Sequence, residues 1–127
     1  MLRGEVIGPR GQRWLVDVPQ TRAERARGLL GRDGLEPWRG MLFERARSVH
    51  TVGMRFPVAV AFLGPPEGEV GVRRVRWVAA MSPGRVALPR PGVRAVLELA
   101  AGADVRVGDA ILSRLPTAGS DARAPIV

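Results

Sequence analysis

The segment His50-Thr51-Val52-Gly53-Met54-Arg55 concentrates an imidazole, a hydroxyl and a guanidinium around one glycine. His50 is the only histidine, so it alone titrates near neutral pH without a large shift. Gly53 lets backbone approach a bound molecule closely, and Met54 with Phe56 supplies apolar surface beside the polar groups. A donor-rich pocket of this kind favours a carboxylate, a phosphate or a similar small anion. The expected ligand-binding set is His50, Thr51, Gly53, Met54 and Arg55, with Glu98 as an acid within reach of the arginine. Each residue also has a structural reading. His50 would be a strand residue hydrogen-bonded to a carbonyl, Arg55 would pair with an acid such as Glu98, and Met54 and Phe56 would be core. Glu98 lies between Leu97 and Leu99 in an alternating run, where it either faces solvent or turns inward and pairs with an arginine.

A second candidate is Arg73-Arg74-Val75-Arg76-Trp77, which offers phosphate contacts beside one stacking ring. Strand alternation puts Arg74 and Arg76 on one face and Arg73 on the other, as an ordinary solvated sheet face also would. Sequence-tolerant nucleic-acid binding through Arg73, Arg74, Arg76 and Trp77 is therefore the alternative function.

Several chemistries are excluded or disfavoured. The chain has no cysteine and one histidine, and its twelve acids do not cluster at ligand spacing, so no metal site is expected. Without lysine there is no P-loop and no Schiff base, and no Gly-x-Gly-x-x-Gly run follows a strand. A hydrolytic triad would have to use His50 with a serine or threonine lacking a Gly-x-Ser-x-Gly elbow, which leaves hydrolase as a remote second alternative. We therefore expect no catalytic residues and no cofactor, and binding rather than turnover.

The elements that must position these residues are short strands. Leu2 to Ile7 and Arg13 to Val18 alternate apolar and polar residues around the turn Gly8-Pro9-Arg10-Gly11. Thr21 with Glu24 forms a capping box, which starts a helix running over residues 21–31. In that helix Ala23, Ala26, Leu29 and Leu30 share one stripe, and Gly31 provides a left-handed end. Further strands are expected at Met41 to Phe43, Val58 to Leu63, Val70 to Ala79, Val93 to Ala100 and Ala110 to Leu115. Val58 to Leu63 is apolar on both faces and therefore central, and Gly64-Pro65-Pro66-Glu67-Gly68 reads as a turn. The fold class is mainly β with one early α-helix, a curled sheet or barrel-like single domain over 1–115, followed by a poorly ordered tail at 116–127.

The 127 residues suffice for one domain. No membrane partner is expected, because the longest strongly apolar uncharged run, Phe56 to Pro66, is about half the ~20 residues a spanning helix needs. No export signal is visible, and the expected compartment is the cytoplasm. The net charge of +8 arises entirely from arginine, all 20 basic residues being Arg, and reads as compositional bias as readily as a nucleic-acid surface.

The order of five segments is similar to that in a known family. They are Glu24-Arg25-Ala26-Arg27-Gly28-Leu29-Leu30-Gly31-Arg32, Gly40-Met41-Leu42-Phe43, His50-Thr51-Val52-Gly53-Met54-Arg55-Phe56-Pro57, Val96-Leu97-Glu98-Leu99 and Gly108-Asp109. Over residues 12–114 the chain resembles the bacterial and archaeal family called domain of unknown function 192. The resemblance implies a small, mostly β domain with one early helix, and implies no established reaction, cofactor or catalytic residue. Family members usually carry Asp where this chain has Ala59, and a second acid where it has Gly64. A function resting on the first carboxylate would be lost here.

Overall fold

A computed structural model describes residues 1–68 and 71–116. The opening hairpin pairs β1 (Leu2–Ile7) with β2 (Arg13–Val18), Leu2 facing Val18 and Ile7 facing Arg13. Its turn closes through Gly11, whose φ of 85° is one that L side chains rarely adopt. Arg10 of the same turn reaches across the barrel end. Its Nη1 and Nη2 donate to the two Asp109 carboxylate oxygens at 2.9 and 2.8 Å, and its Nε donates to Asp104 at 3.1 Å. These bonds hold both carboxyls below the usual aspartate range.

The capping box forms as expected. Thr21 Oγ1 accepts from the Glu24 N–H at 3.1 Å, and Glu24 Oε1 accepts from the Thr21 N–H at 3.2 Å. The helix itself, α1 (Arg22–Arg27), is shorter than the expected 21–31 and buries none of its residues. Gly28, not Gly31, ends it, with φ of 47° and its N–H on the Glu24 carbonyl. Leu29 and Leu30 follow in turns, and these two, rather than Ala23 and Ala26, carry the apolar contact with the sheet.

The chain then enters β3 (Arg39–Phe43), which lies parallel to β2, with Val16 opposite Gly40. A parallel pair needs a crossover of a dozen or more residues, and residues 19–38, including α1, supply it on the outside of the sheet. After β3, residues 44–57 cross the outer face and contain the short β4 (Val49–His50). They lead into β5 (Val58–Glu67), which forms a hairpin with β6 (Val72–Met81). β7 (Val86–Ala87) pairs with β4, and β8 (Ala95–Ala100) and β9 (Ala110–Arg114) complete the set. Seven strands close a barrel in the order β1-β2-β3-β8-β5-β6-β9, with β9 returning to β1.

β5 runs on to Glu67, through the prolines expected to form a turn. Its pairing with β8 ends at Leu63, and the register with β6 shifts between Leu63 and Pro66. Pro65 and Pro66 therefore occupy a free edge at a bulge, where a missing N–H costs no ladder bond. Apart from Pro116, the tail 116–127, for which poor order was expected, lies outside the described residues.

Two apolar clusters explain why β5 and β8 are apolar on both faces. Ala59, Ala61 and Leu63 of β5 and Ala95, Leu97 and Leu99 of β8 point into the barrel, beside Trp14, Leu42 and Val75. Val58, Val60, Phe62 and Val96 point outward and are covered by Leu29, Met54, Phe56, Met81 and Val93. The outer cover, not the barrel interior, is where the candidate residues lie.

Candidate functional site

Alternation along β8 places Glu98 on the outer face with Val96, between Met41 of β3 and Val60 of β5 in register. An acid there would ordinarily be solvated. Instead the turns after α1 and residues 44–54 roof it over, and Glu98 is only 3% exposed. Its carboxylate makes no hydrogen bond and no ion pair among the described residues. No fully sealed side-chain oxygen or nitrogen lacks a partner there, so the Glu98 oxygens open onto free space. That space is a cavity of about 250 Å³. Burial without a compensating charge pushes the Glu98 carboxyl up to about 7. Neither expected environment is realised, since Glu98 is neither at the surface nor paired with an arginine.

Leu29, Leu30, Phe43, Ala46, Val49, Met54 and Val96 give the cavity apolar walls, while Arg25, Arg27, Arg45, Ser48 and His50 bring polar groups to it. These arginines, Ser48 and His50 are exposed, and Met54 is buried. The site thus combines a buried acid, an apolar middle and a cationic rim.

The structure brings together three of the six expected ligand-binding residues, His50, Met54 and Glu98. The other three do not line the cavity. Arg55 points to the surface, where its Nη1 meets Asp33 Oδ1 at 2.6 Å, both side chains being well exposed. Gly53 has φ of 86°, and a Cβ there would lie 3.2 Å from Leu30 Cδ2. Its role is to let the turn pack against a residue that lines the cavity.

Thr51 is fully buried and bonded internally. Its hydroxyl donates to the Ser82 carbonyl at 2.6 Å and accepts from the Arg85 N–H at 2.9 Å, pinning the 51–54 turn to the turn before β7. Replacing Thr51 by Val keeps the shape but removes the partner of the Ser82 carbonyl and of the Arg85 N–H, both bonded at a part-buried position. We expect a loss of about 1–2 kcal/mol in urea unfolding. An unchanged midpoint would mean that water or another group takes over both bonds.

The second candidate set is engaged within the protein. Arg73 Nη1 donates to the Gly64 carbonyl at 2.8 Å, and Arg74 donates to the Gly108 carbonyl and to Glu67. Arg90 lies over the Trp77 ring, 3.7 Å from its centroid, and occupies one stacking face. Arg76 is exposed but sits against Gly64 and Gly92.

A family model covers residues 5–112 and carries the description DUF192, Uncharacterized ACR. The chain belongs to this family of unknown function. Four of the five segments that carry the resemblance meet at the cavity, contributing Arg25 to Leu30, Phe43, His50 with Met54, and Val96 with Glu98. The fifth, Gly108-Asp109, meets Arg10 at the far end of the barrel. Ala59, where relatives usually have Asp, faces the barrel interior in register with Leu99, on the opposite side of β5 from the cavity. Its missing carboxylate therefore does not alter the site.

No curated protein matches the chain. The fold is similar to that of solved structures, among them the following two. One is a proposed transcription regulator from Sinorhizobium meliloti 1021, 24% identical, with a TM-score of 0.70 over 88% of this chain and 92% of that one. The other is a protein of unknown function from Novosphingobium aromaticivorans DSM 12444, 28% identical, with a TM-score of 0.66 over 86% and 82% of the two chains. No helix among the described residues is long and apolar enough to cross a membrane.

Proposed function

We propose that this protein is a non-catalytic binding domain for a small molecule that combines an apolar body with an anionic group. The observation that carries the reading is the unpartnered Glu98 carboxyl at a cavity bordered by Arg25, Arg27 and Arg45. A buried acid without a hydrogen bond is costly to keep, and a ligand that supplies the missing partner would offset that cost. The apolar walls suit the body of such a ligand, and the arginines suit an anion held at the entrance.

Thermal unfolding in the presence of small anions tests the reading. Hexanoate, benzoate and phenyl phosphate should raise the melting temperature, and acetate, which lacks an apolar body, should not. At a ligand concentration 100-fold above Kd the gain is about 2.7 kcal/mol, which is several degrees for a domain of this size. Replacing Ala26, an exposed residue at the cavity, by Trp should leave the unliganded melting temperature nearly unchanged and abolish the shift. If none of the apolar anions stabilises the protein, or Ala26→Trp leaves the shift intact, the cavity is not the binding site.

A further inference from the structure

The cationic rim does not end at the cavity. Arg45 also lines an adjoining open groove together with Arg47, Arg73 and Arg94, floored in part by Pro65 and Pro66. Arg45, Arg47 and Arg94 are exposed, and none of the four arginines makes an ion pair among the described residues. Glu44 is the one acid in that groove, so its net charge is strongly positive. An apolar slot ending in a carboxylate therefore opens, past a shared arginine, onto a surface suited to phosphate.

We propose that the occupant is a guanine nucleotide, its base in the cavity against Glu98 and its phosphate held by Arg45 and the adjoining arginine groove. This rests on the small-ligand reading of the same cavity and names the ligand class. An ionised carboxylate only accepts hydrogen bonds, and its two oxygens match two adjacent, parallel N–H donors. Guanine presents such a pair on its Watson–Crick edge, at N1 and N2. Adenine and cytosine each present one donor beside an acceptor, and uracil presents one donor between two acceptors, so each leaves a carboxylate oxygen facing a lone pair. The Phe43, Leu29 and Met54 side chains supply the apolar flanks that a planar base requires. The cavity is large enough for a purine with part of its ribose and too small for the phosphate as well, which must lie outside, where the arginines are.

The proposal fixes the sign of the pH dependence. The groups that face Glu98 are Arg25 and Arg27 from α1 and its end, and Arg45 and His50 from the 44–50 segment; Met41, Val60 and Val96 from β3, β5 and β8 are uncharged. Guanine takes the ionised carboxylate, so its binding tightens as Glu98 loses its proton. Adenine would need the protonated acid as a donor and would bind more tightly at low pH.

Calorimetric titration of the intact chain with GMP, AMP, guanosine and inorganic phosphate, near pH 6 and near pH 8, tests this. GMP should bind at least about tenfold more tightly than AMP or phosphate and more tightly near pH 8 than near pH 6, and guanosine should bind more weakly than GMP but detectably. Raising salt from about 50 to 200 mM should weaken GMP and leave guanosine nearly unchanged. Glu98→Gln, with its folding checked by its melting temperature, should remove the preference for GMP over AMP while phosphate binding persists. A single-stranded pentanucleotide with one guanine separates the sources. Tighter binding than GMP identifies a nucleic-acid strand, and weaker binding identifies the free nucleotide. Equal affinity for GMP and AMP, or binding of phosphate with none of guanosine, overturns the proposal. If GMP is silent while benzoate or phenyl phosphate still stabilises the protein and Ala26→Trp abolishes that effect, the guanine assignment fails and the cavity reading stands. If all of them are silent, both fail.

Discussion

Replacing Glu98 by Gln should raise the stability of the folded chain by about 3 kcal/mol near pH 8 and by no more than about 1 kcal/mol near pH 5. Burial moves this carboxyl from the ordinary 4.5 to about 7, so the folded state holds the proton more firmly than the unfolded chain does. For a group raised in this way, the stabilising contribution is complete below pH 4.5 and is lost as pH rises through 7. Above that point the native protein must keep a charge in a roofed apolar site with no partner, and the unfolded chain bears no such cost. The amide cannot ionise, so the variant should give a flat profile across the window in which the parent weakens. Urea unfolding near pH 5, 6, 7 and 8 measures both curves. Parallel slopes would mean that another group is responsible. The aspartates bound by Arg10 do not interfere, because their carboxyls are held below the ordinary 3.8, so their contribution is constant across this window and is lost only in more acidic solution.

The residue before it should behave in the opposite way. Leu97→Ala is expected to destabilise the protein by about 2–5 kcal/mol at every pH. Leu97 is fully buried, points into the barrel, and lies between Leu42 of β3 and Ala61 of β5 in register. A closed barrel has little freedom to collapse around a missing side chain, so the expected cost sits in the upper part of that range. One strand thus carries adjacent substitutions with opposite signs near pH 8. The contrast tests the assignment of faces on β8 independently of any ligand. If Leu97→Ala proves nearly neutral, the inward and outward faces of β8 have been exchanged.

What the sequence revealed was mainly local. The capping box of Thr21 and Glu24 marked the helix start, because both partners lie within one turn. The helix end was misplaced by three residues, because Gly28 and Gly31 are both placed to stop a helix and only tertiary packing of Leu29 and Leu30 distinguishes them. Two-sided apolarity correctly marked Val58 to Leu63 as central, but Pro65 and Pro66 depend on where the neighbouring strand stops, a non-local fact. His50, Met54 and Glu98 were all singled out, and their meeting at one cavity was not legible, since it depends on the crossover that carries residues 28–30 over β8. Arg25, Arg27 and Arg45 were missed. The available signal was that Arg25 and Arg27 fall in one of the segments shared with the family, whereas Arg45 had none. Arg55 drew attention by proximity in sequence, yet the turn at Gly53 sends it to Asp33.

Barrel closure by β1 and β9 also constrains the order in which the molecule is made. Glu5 must find Arg114, and that search cannot begin until β9 has left the ribosome. Before then a growing chain has an open sheet with two unsatisfied borders, at β1 and β6, both destined for the same late strand. The hairpins of β1 with β2 and of β5 with β6 are the most local of the large pairings and are the natural first pieces to form. The last seam joins residues more than a hundred positions apart, which places refolding in the range of about milliseconds to seconds typical of β-rich domains dominated by distant contacts. Until that seam closes, both borders offer unpaired strand edges to any neighbouring chain.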